Sequence, residues 1–240
     1  MQTGKVWLVG AGPGDIGLFT LKGQKVLSEA EVVVYDSLVG DGVLAMIPDT
    51  ARTIDVGKRA GNHTMPQEQI NQVLLEEAKK GYRVVRLKGG DPFLFGRGGE
   101  ELELLSDENI PYEVVPGVTS PMAVPAYNGI PVTHRDYCSS MHIITGHKKA
   151  GEEYNINFKA LVETKGTLVF PVSYTHLEDG TLKPELIIGV PVGFVNVVPS
   201  KELIMQTEVP YIVARGRKGG SNIAACIVNA LLYMIDDNRE

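Results

Sequence analysis

VVRLKGGDPFLFGRGGEE, residues 84–101, decides the fold. Val84, Val85 and Leu87 are β-formers that follow the break at Gly81, so the stretch opens as a strand. It ends at Gly89-Gly90-Asp91-Pro92. Paired glycines permit positive φ and let a ligand approach the backbone. Pro92 fixes φ and removes a donor. Asp91 then sets a carboxylate at the carboxyl edge of a strand, where open α/β sheets bind ligands. Arg97, Gly98, Gly99 and Glu100 follow, and a loop this rich in glycine with charges of both signs reads as a site.

Working outward, the 240 residues are 43% hydrophobic and 22% charged, ordinary for one large or two small globular domains. The formal net charge of −6 argues against a nucleic-acid binder, which would be basic. Cys138 and Cys226 have no CxxC spacing and read as reduced thiols, so a cytoplasmic setting is expected. The first residues lead straight into a strand, so no secretory leader is expected. No apolar run approaches the roughly 20 residues of a membrane helix, so no membrane partner is expected.

Toward the amino end, residues 5–9 (KVWLV) read as a buried strand that runs into Gly10-Ala11-Gly12-Pro13-Gly14-Asp15. A dinucleotide fingerprint would need glycine where Asp15 stands, and that carboxylate would repel a pyrophosphate. Residues 20–28 read as a helix and 31–35 (EVVVY) as a second strand, with Asp36 at its carboxyl end. By itself Asp36 is as well explained as a turn cap. Residues 52–56 read as a third strand, followed by Gly57-Lys58-Arg59-Ala60-Gly61, which alone reads as a solvated loop. Thr64 with Gln67 fits a capping box ahead of a covering helix whose apolar face is Ile70, Val73, Leu74 and Ala78, ending near Gly81.

Toward the carboxyl end, residues 99–105 read as a short helix and 112–115 as a strand. Thr119 and Ser120 fit the cap of the helix that follows. Further strands are expected at 141–146 and from 165. His134, His142 and His147 lack metal-ligand spacing, and no metal is expected.

RLKGGDPFLFGRGGEE and, at residues 9–23, VGAGPGDIGLFTLKG resemble the paired signatures of uroporphyrinogen-III C-methyltransferases, within the tetrapyrrole methylase superfamily. The resemblance runs over residues ~4–170. It implies an α/β methylase fold with a parallel-sheet first domain over 1–113 and a second α/β domain beginning at 114. It implies methyl transfer from S-adenosylmethionine to C2 and C7 of uroporphyrinogen III, giving precorrin-2, without a metal. Asp36, in Tyr35-Asp36-Ser37-Leu38-Val39, corresponds to the proton acceptor, and Lys58, in VGKRAG, to the proton donor. Pro13, Gly89, Gly90, Asp91, Leu94, Thr119 and Ser120 correspond to cofactor-binding positions. Arg97, Glu100 and Arg135 correspond to positions that hold the carboxylate-rich substrate. A homodimer is the family's expected state.

After residue 170 the resemblance stops before the turn whose Met packs on the cofactor. From about 184, IIGVPVGFVNVVPSKELI and VPYIVARGRKGGSNIAACIVNALLYM resemble the carboxyl-terminal part of precorrin-8X methylmutase, an isomerase of corrinoid synthesis. Its amino half, with the catalytic His, has no counterpart. The expected organisation is thus a second methylase domain truncated at 114–170, a foreign junction at 171–183 and a methylmutase-like α/β fragment at 184–240. PVSYTHL inside the junction resembles a sequencing adapter, so an artificial join of neighbouring genes is expected, with impaired activity. The alternatives are an isomerase fragment and an inactive tetrapyrrole-binding remnant. In the tail, Arg215-Gly216-Arg217-Lys218-Gly219-Gly220-Ser221 reads equally as a carboxylate site or as a solvated loop before a helix at 223–234.

Overall fold

The computed structural model describes residues 3–57, 65–127, 129–144, 156–169, 187–189, 201–202, 205–206, 210–213 and 215. The expected helix at 223–234, the junction at 171–183 and Lys58 lie outside the described residues. The chain divides into two units, Met1–Ser120 and Pro121–Glu240.

The first unit is built on five parallel strands: β1 (Lys5–Gly10), β2 (Val32–Tyr35), β3 (Arg52–Asp55), β4 (Arg83–Lys88) and β5 (Tyr112–Val115), ordered β3-β2-β4-β1-β5. The strand read first in the sequence is the central one. β4 pairs with β1 from Lys5↔Arg83 to Gly10↔Lys88 and with β2 from Val32↔Val84 to Tyr35↔Leu87. The unit extends past residue 113 because β5 pairs along β1 as an edge strand.

Strand alternation gives the sheet two buried faces. Val6, Leu8, Val32, Val34 and Val84 pack with Ile70, Leu74, Leu75 and Ala78 of α3 (Gln67–Lys79) and Leu105 of α4 (Gly98–Asp107). Val9, Val33, Val85 and Leu87 pack on the other face with Leu27 of α1 (Leu21–Ser28) and Val43 of α2 (Asp41–Leu44). Each such side chain stabilises the fold by about 1.5–3 kcal/mol on burial.

Two helix starts show what local sequence can decide. Thr20, read as the first residue of the helix, stands one step before α1 as its cap, its hydroxyl accepting from the Gly23 N–H at 3.0 Å. Thr64 of the expected capping box lies outside the described residues. Pro66 precedes α3 without a side-chain cap, and the Gln67 amide donates to Asn71 Oδ1 and Glu101 Oε1.

Strand order places the site. β2 continues outward to β3, while β4 continues in the opposite direction, through α4 to β5. The switch point therefore lies between β2 and β4, where an open α/β sheet leaves a crevice at its carboxyl edge.

In the second unit, β6 (Met141–Ile143) pairs in parallel with β7 (Thr167–Val169), and α6 (Phe158–Glu163) lies between them in the chain. A separate parallel pair joins β8 (Ile187–Gly189) to β9 (Tyr211–Val213). α5 (Ser120–Tyr127) opens this half of the chain and carries Pro125 within it. Among the described residues no helix is long and apolar enough to cross a membrane.

Candidate active site

The carboxyl ends of the strands are zipped together backbone to backbone. Past β1, the Ala11 N–H donates to the Lys88 carbonyl at 2.8 Å, and Gly12 and Gly90 exchange N–H···O bonds of 3.2 and 2.8 Å. A Cβ on Gly10 would lie 2.5 Å from Gly117 N, and one on Gly117 would strike the Gly90 carbonyl. Only residues without a side chain let these three loops meet. Gly90 also sits at φ +67, in the left-handed region.

Asp91 locks this junction. Its Oδ1 accepts from the Phe93 and Leu94 N–H groups at 2.8 and 3.2 Å, and its Oδ2 from the Gly117 N–H at 2.9 Å. It thereby ties the loop after β4 to the loop after β5, which runs on to Thr119 and Ser120. A Cβ on Gly90 would come 3.5 Å from Thr119 Oγ1, so glycine keeps the space between that backbone and the hydroxyl clear. Pro13 and Leu94 are half-buried along the same edge. Asp15 caps the short turn Ile16–Leu18, its Oδ1 accepting from the Gly17 N–H at 2.7 Å.

Beside the glycines lies a chain of charges. Asp36 Oδ1 accepts from the Leu38 N–H at 3.0 Å, and its Oδ2 from Arg86 Nη2 at 3.0 Å. The turn-cap reading of Asp36 is correct but incomplete, because an ion pair holds its second oxygen. Arg86 also donates from Nε to Glu101 Oε1 at 3.2 Å and from Nη1 to the Leu87 carbonyl at 2.7 Å. Lys88 Nζ meets the same Glu101 oxygen at 2.7 Å. The side chains of Arg86, Lys88 and Glu101 are 3%, 5% and 0% exposed, whereas Asp36 is 21% exposed and forms the wet end of the chain. Burial, and secondarily the charge of Arg86, push the Lys88 pKa down, against Glu101, which raises it. Glu101 Oε2 is buried without a hydrogen-bond partner. The sequence reading missed Arg86, Lys88 and Glu101 entirely.

Farther out, Arg97 opens α4 at φ +55, and its guanidinium grips Glu100 through bonds of 2.8 and 2.6 Å. The pair is exposed, and the Glu100 carboxylate raises the Arg97 pKa. Phe93 and Phe95 are exposed on the same loop, Phe95 also at positive φ. Arg135 is an exposed residue of the second unit, on the turn closed by His134 and Cys138. Among the described residues no cluster of His, Cys, Asp and Glu is arranged to hold a metal ion.

Residues 167–234 match the family described as Precorrin-8X methylmutase. The porphyrin biosynthesis protein HemD of Ruminiclostridium josui is 49% identical over 235 residues, covering 90% of this chain and 47% of its own length. That coverage carries the alignment across residues 171–183. The siroheme synthase of Escherichia coli O1:K1 / APEC is 59% identical over 167 residues, 70% of this chain and 36% of its own. The crystal structure of uroporphyrin-III C-methyl transferase from Thermus thermophilus, complexed with S-adenyl homocysteine, is 45% identical, with a TM-score of 0.54 over 63% of this chain and 64% of that one. The chain thus spans 36–47% of the length of these two curated relatives. Residues 5–178 match the family described as Tetrapyrrole (Corrin/Porphyrin) Methylases, a span holding the whole parallel sheet and its glycine loops, and the chain belongs to that family.

Proposed function

We propose that the chain transfers methyl groups from S-adenosylmethionine to C2 and C7 of uroporphyrinogen III, giving precorrin-2. One observation carries the reading: a carboxylate, Asp36, is held partly exposed at the switch point between β2 and β4, beside the glycine loop that follows β4. A pyrrole carbon is an enamine-like nucleophile, so the protein's tasks are orientation and removal of the proton from the alkylated ring. Asp36 is the base.

When bound, S-adenosylmethionine supplies an activated methyl group. The loop residues fit it, because Gly90 leaves backbone clear beside the Thr119 hydroxyl. Gly89, Gly90, Leu94, Pro13, Thr119 and Ser120 would hold it, with Asp91 fixing the two loops from behind. Arg97 would bind a substrate carboxylate by exchanging Glu100 for it. The exposed pair contributes only about 0–1 kcal/mol, so the exchange is cheap. Lys58 as proton donor and Arg135 as a second substrate cation complete the assignment. A homodimer acting on a soluble tetrapyrrole in the cytoplasm, without a metal, is the matching setting.

Turnover should be slower than in relatives with a whole second methylase domain, because the tail after β7 follows a different family. The test is a single-turnover reaction of the 240-residue chain with methyl-labelled S-adenosylmethionine and uroporphyrinogen III. Label should enter the tetrapyrrole at two positions, and Asp36→Asn should slow transfer by about 10²-fold with cofactor binding retained. Both ligands binding without transfer of label would refute the reading.

A further inference from the structure

We infer that Arg86 is a positioning residue for Asp36, acting as a bracket anchored in the core by Glu101; this rests on the methyl-transfer reading above. Arg86 lies on the face of β4 that packs against α3 and α4, two residues after buried Val84 and in register with buried Val34 of β2. An apolar side chain would suit that position, and replacing a buried ion pair by apolar groups is often neutral or stabilising. A charge kept there at such a desolvation cost needs another reason. The geometry supplies one. Each nitrogen of the planar guanidinium has its own acceptor: Nε has Glu101, Nη1 has the Leu87 carbonyl, and Nη2 has Asp36. A fork held at three points cannot swing, and it fixes one oxygen of Asp36 while the Leu38 N–H fixes the other. Lys88 balances the second half of the Glu101 charge, so the anchor does not depend on Arg86 alone. Asp36 itself needs only the Leu38 N–H to serve as a turn cap. The additional grip sets the direction of its carboxylate, and misplacing a reacting group by about 1 Å costs on the order of 10²-fold in rate.

Arg86→Met alone leaves Glu101 with less compensation and can fail to fold. The decisive variant is therefore Arg86→Met with Lys88→Met and Glu101→Leu, which exchanges the whole buried cluster for apolar side chains. Its single-turnover methyl transfer should fall by about 10- to 100-fold, with S-adenosylmethionine affinity unchanged by calorimetry. In an Asp36→Asn background the same three changes should cause no further loss, because the group they position is gone. Arg86→Lys, which keeps a charge but not the fork, should retain an intermediate rate. Alongside, urea unfolding of Arg86→Lys, Asp36→Asn and the double variant reads the pair without turnover. The double variant should lose less stability than the two singles together. An unchanged rate in the apolar variant, an equal fold-loss in the Asp36→Asn background, or additive stability losses would overturn the proposal. A parent chain that transfers no methyl group would instead refute the methyltransferase reading, and the stability coupling would then decide whether Arg86 holds Asp36.

Discussion

Glu101→Ala is the sharpest probe of how the first unit is held together. One Glu101 oxygen accepts from Lys88 at 2.7 Å and from Arg86 and Gln67 at 3.2 Å each, with the carboxylate fully buried. Removing it strands two buried cations, although Arg86 keeps Asp36. Breaking one buried pair costs about 3–5 kcal/mol, a large part of a domain's 5–15 kcal/mol. Glu101→Gln should cost less, about 1–3 kcal/mol. Its carbonyl can take the place of the bonded oxygen, and its NH2 falls where Oε2 has no partner now. Lys88→Met with Glu101→Leu should recover most of the loss seen in Glu101→Ala. Urea unfolding at pH 7 measures all three. A second signature comes from pH. The Lys88 pKa is already depressed in the folded state, from an ordinary value of 10.5, and loses its raising partner in Glu101→Ala. An unfolded state that binds more protons makes stability rise with pH, so the deficit should shrink from pH 7 toward pH 10. A loss below about 1 kcal/mol for Glu101→Ala, or a double variant as unstable as the single, would refute the reasoning.

Gly117→Ala places a Cβ against the Gly90 carbonyl and should cost about 1–3 kcal/mol and weaken cofactor binding, whereas Gly99→Ala, with open space around its Cβ, should stabilise α4 by about 0.5–1 kcal/mol; melting curves of both check the contrast. Asp91→Ala releases the N–H groups of Phe93, Leu94 and Gly117, and calorimetry should show S-adenosylmethionine affinity down by about 1.5–3 kcal/mol; unchanged affinity would remove Asp91 from the site. Glu113 is held at a pKa of about 2 by hydrogen bonds from Lys22 and Lys5. Its contribution is fully present above the ordinary carboxylate range and is lost as pH falls from about 4.5 toward 2; solvent screening limits it to about 1 kcal/mol or less. The gap in urea midpoint between the parent and Glu113→Gln should therefore close over that range.

The five strands and the glycine turns were legible because a buried parallel sheet writes itself as short β-branched runs ended by Gly and Pro. The charged bracket was not. Arg86 and Lys88 alternate with Leu87, and a lone strand with that pattern reads as having one wet face. Only the strand order, which centres β4 beneath α3 and α4, makes both faces dry. Between two adjacent glutamates the sequence reading chose Glu100, which meets Arg97 at the surface. Helix phase could have chosen Glu101, which lies four residues before Leu105 and three after Gly98, both buried. Each miss is a polar side chain whose partner is distant in sequence.

The two family matches overlap at residues 167–178, and that overlap begins on β7. β7 still pairs with β6 through Thr167, Leu168 and Val169, and the Ile144 N–H still donates to the Val169 carbonyl at 2.9 Å. The overlap of the two families therefore begins on a strand that keeps its partner. Neither small sheet of this half is self-sufficient, however. A two-stranded sheet is not stable by itself, so the β6–β7 and β8–β9 pairs both depend on cover from elsewhere. Among the described residues after 120, Pro121, Ala123 and Ile144 are the buried apolar ones, whereas both clustered cores belong to the first unit. Asp36, Asp91, Arg97 and Thr119 also lie in that unit, well before the change of family. Asp36 and the glycine loops are thus fixed by the part of the chain with the dense core. Binding needs only those placed groups, whereas turnover also needs water excluded from around the reacting atoms. Cofactor binding and turnover should therefore separate in this chain, with binding the more robust of the two.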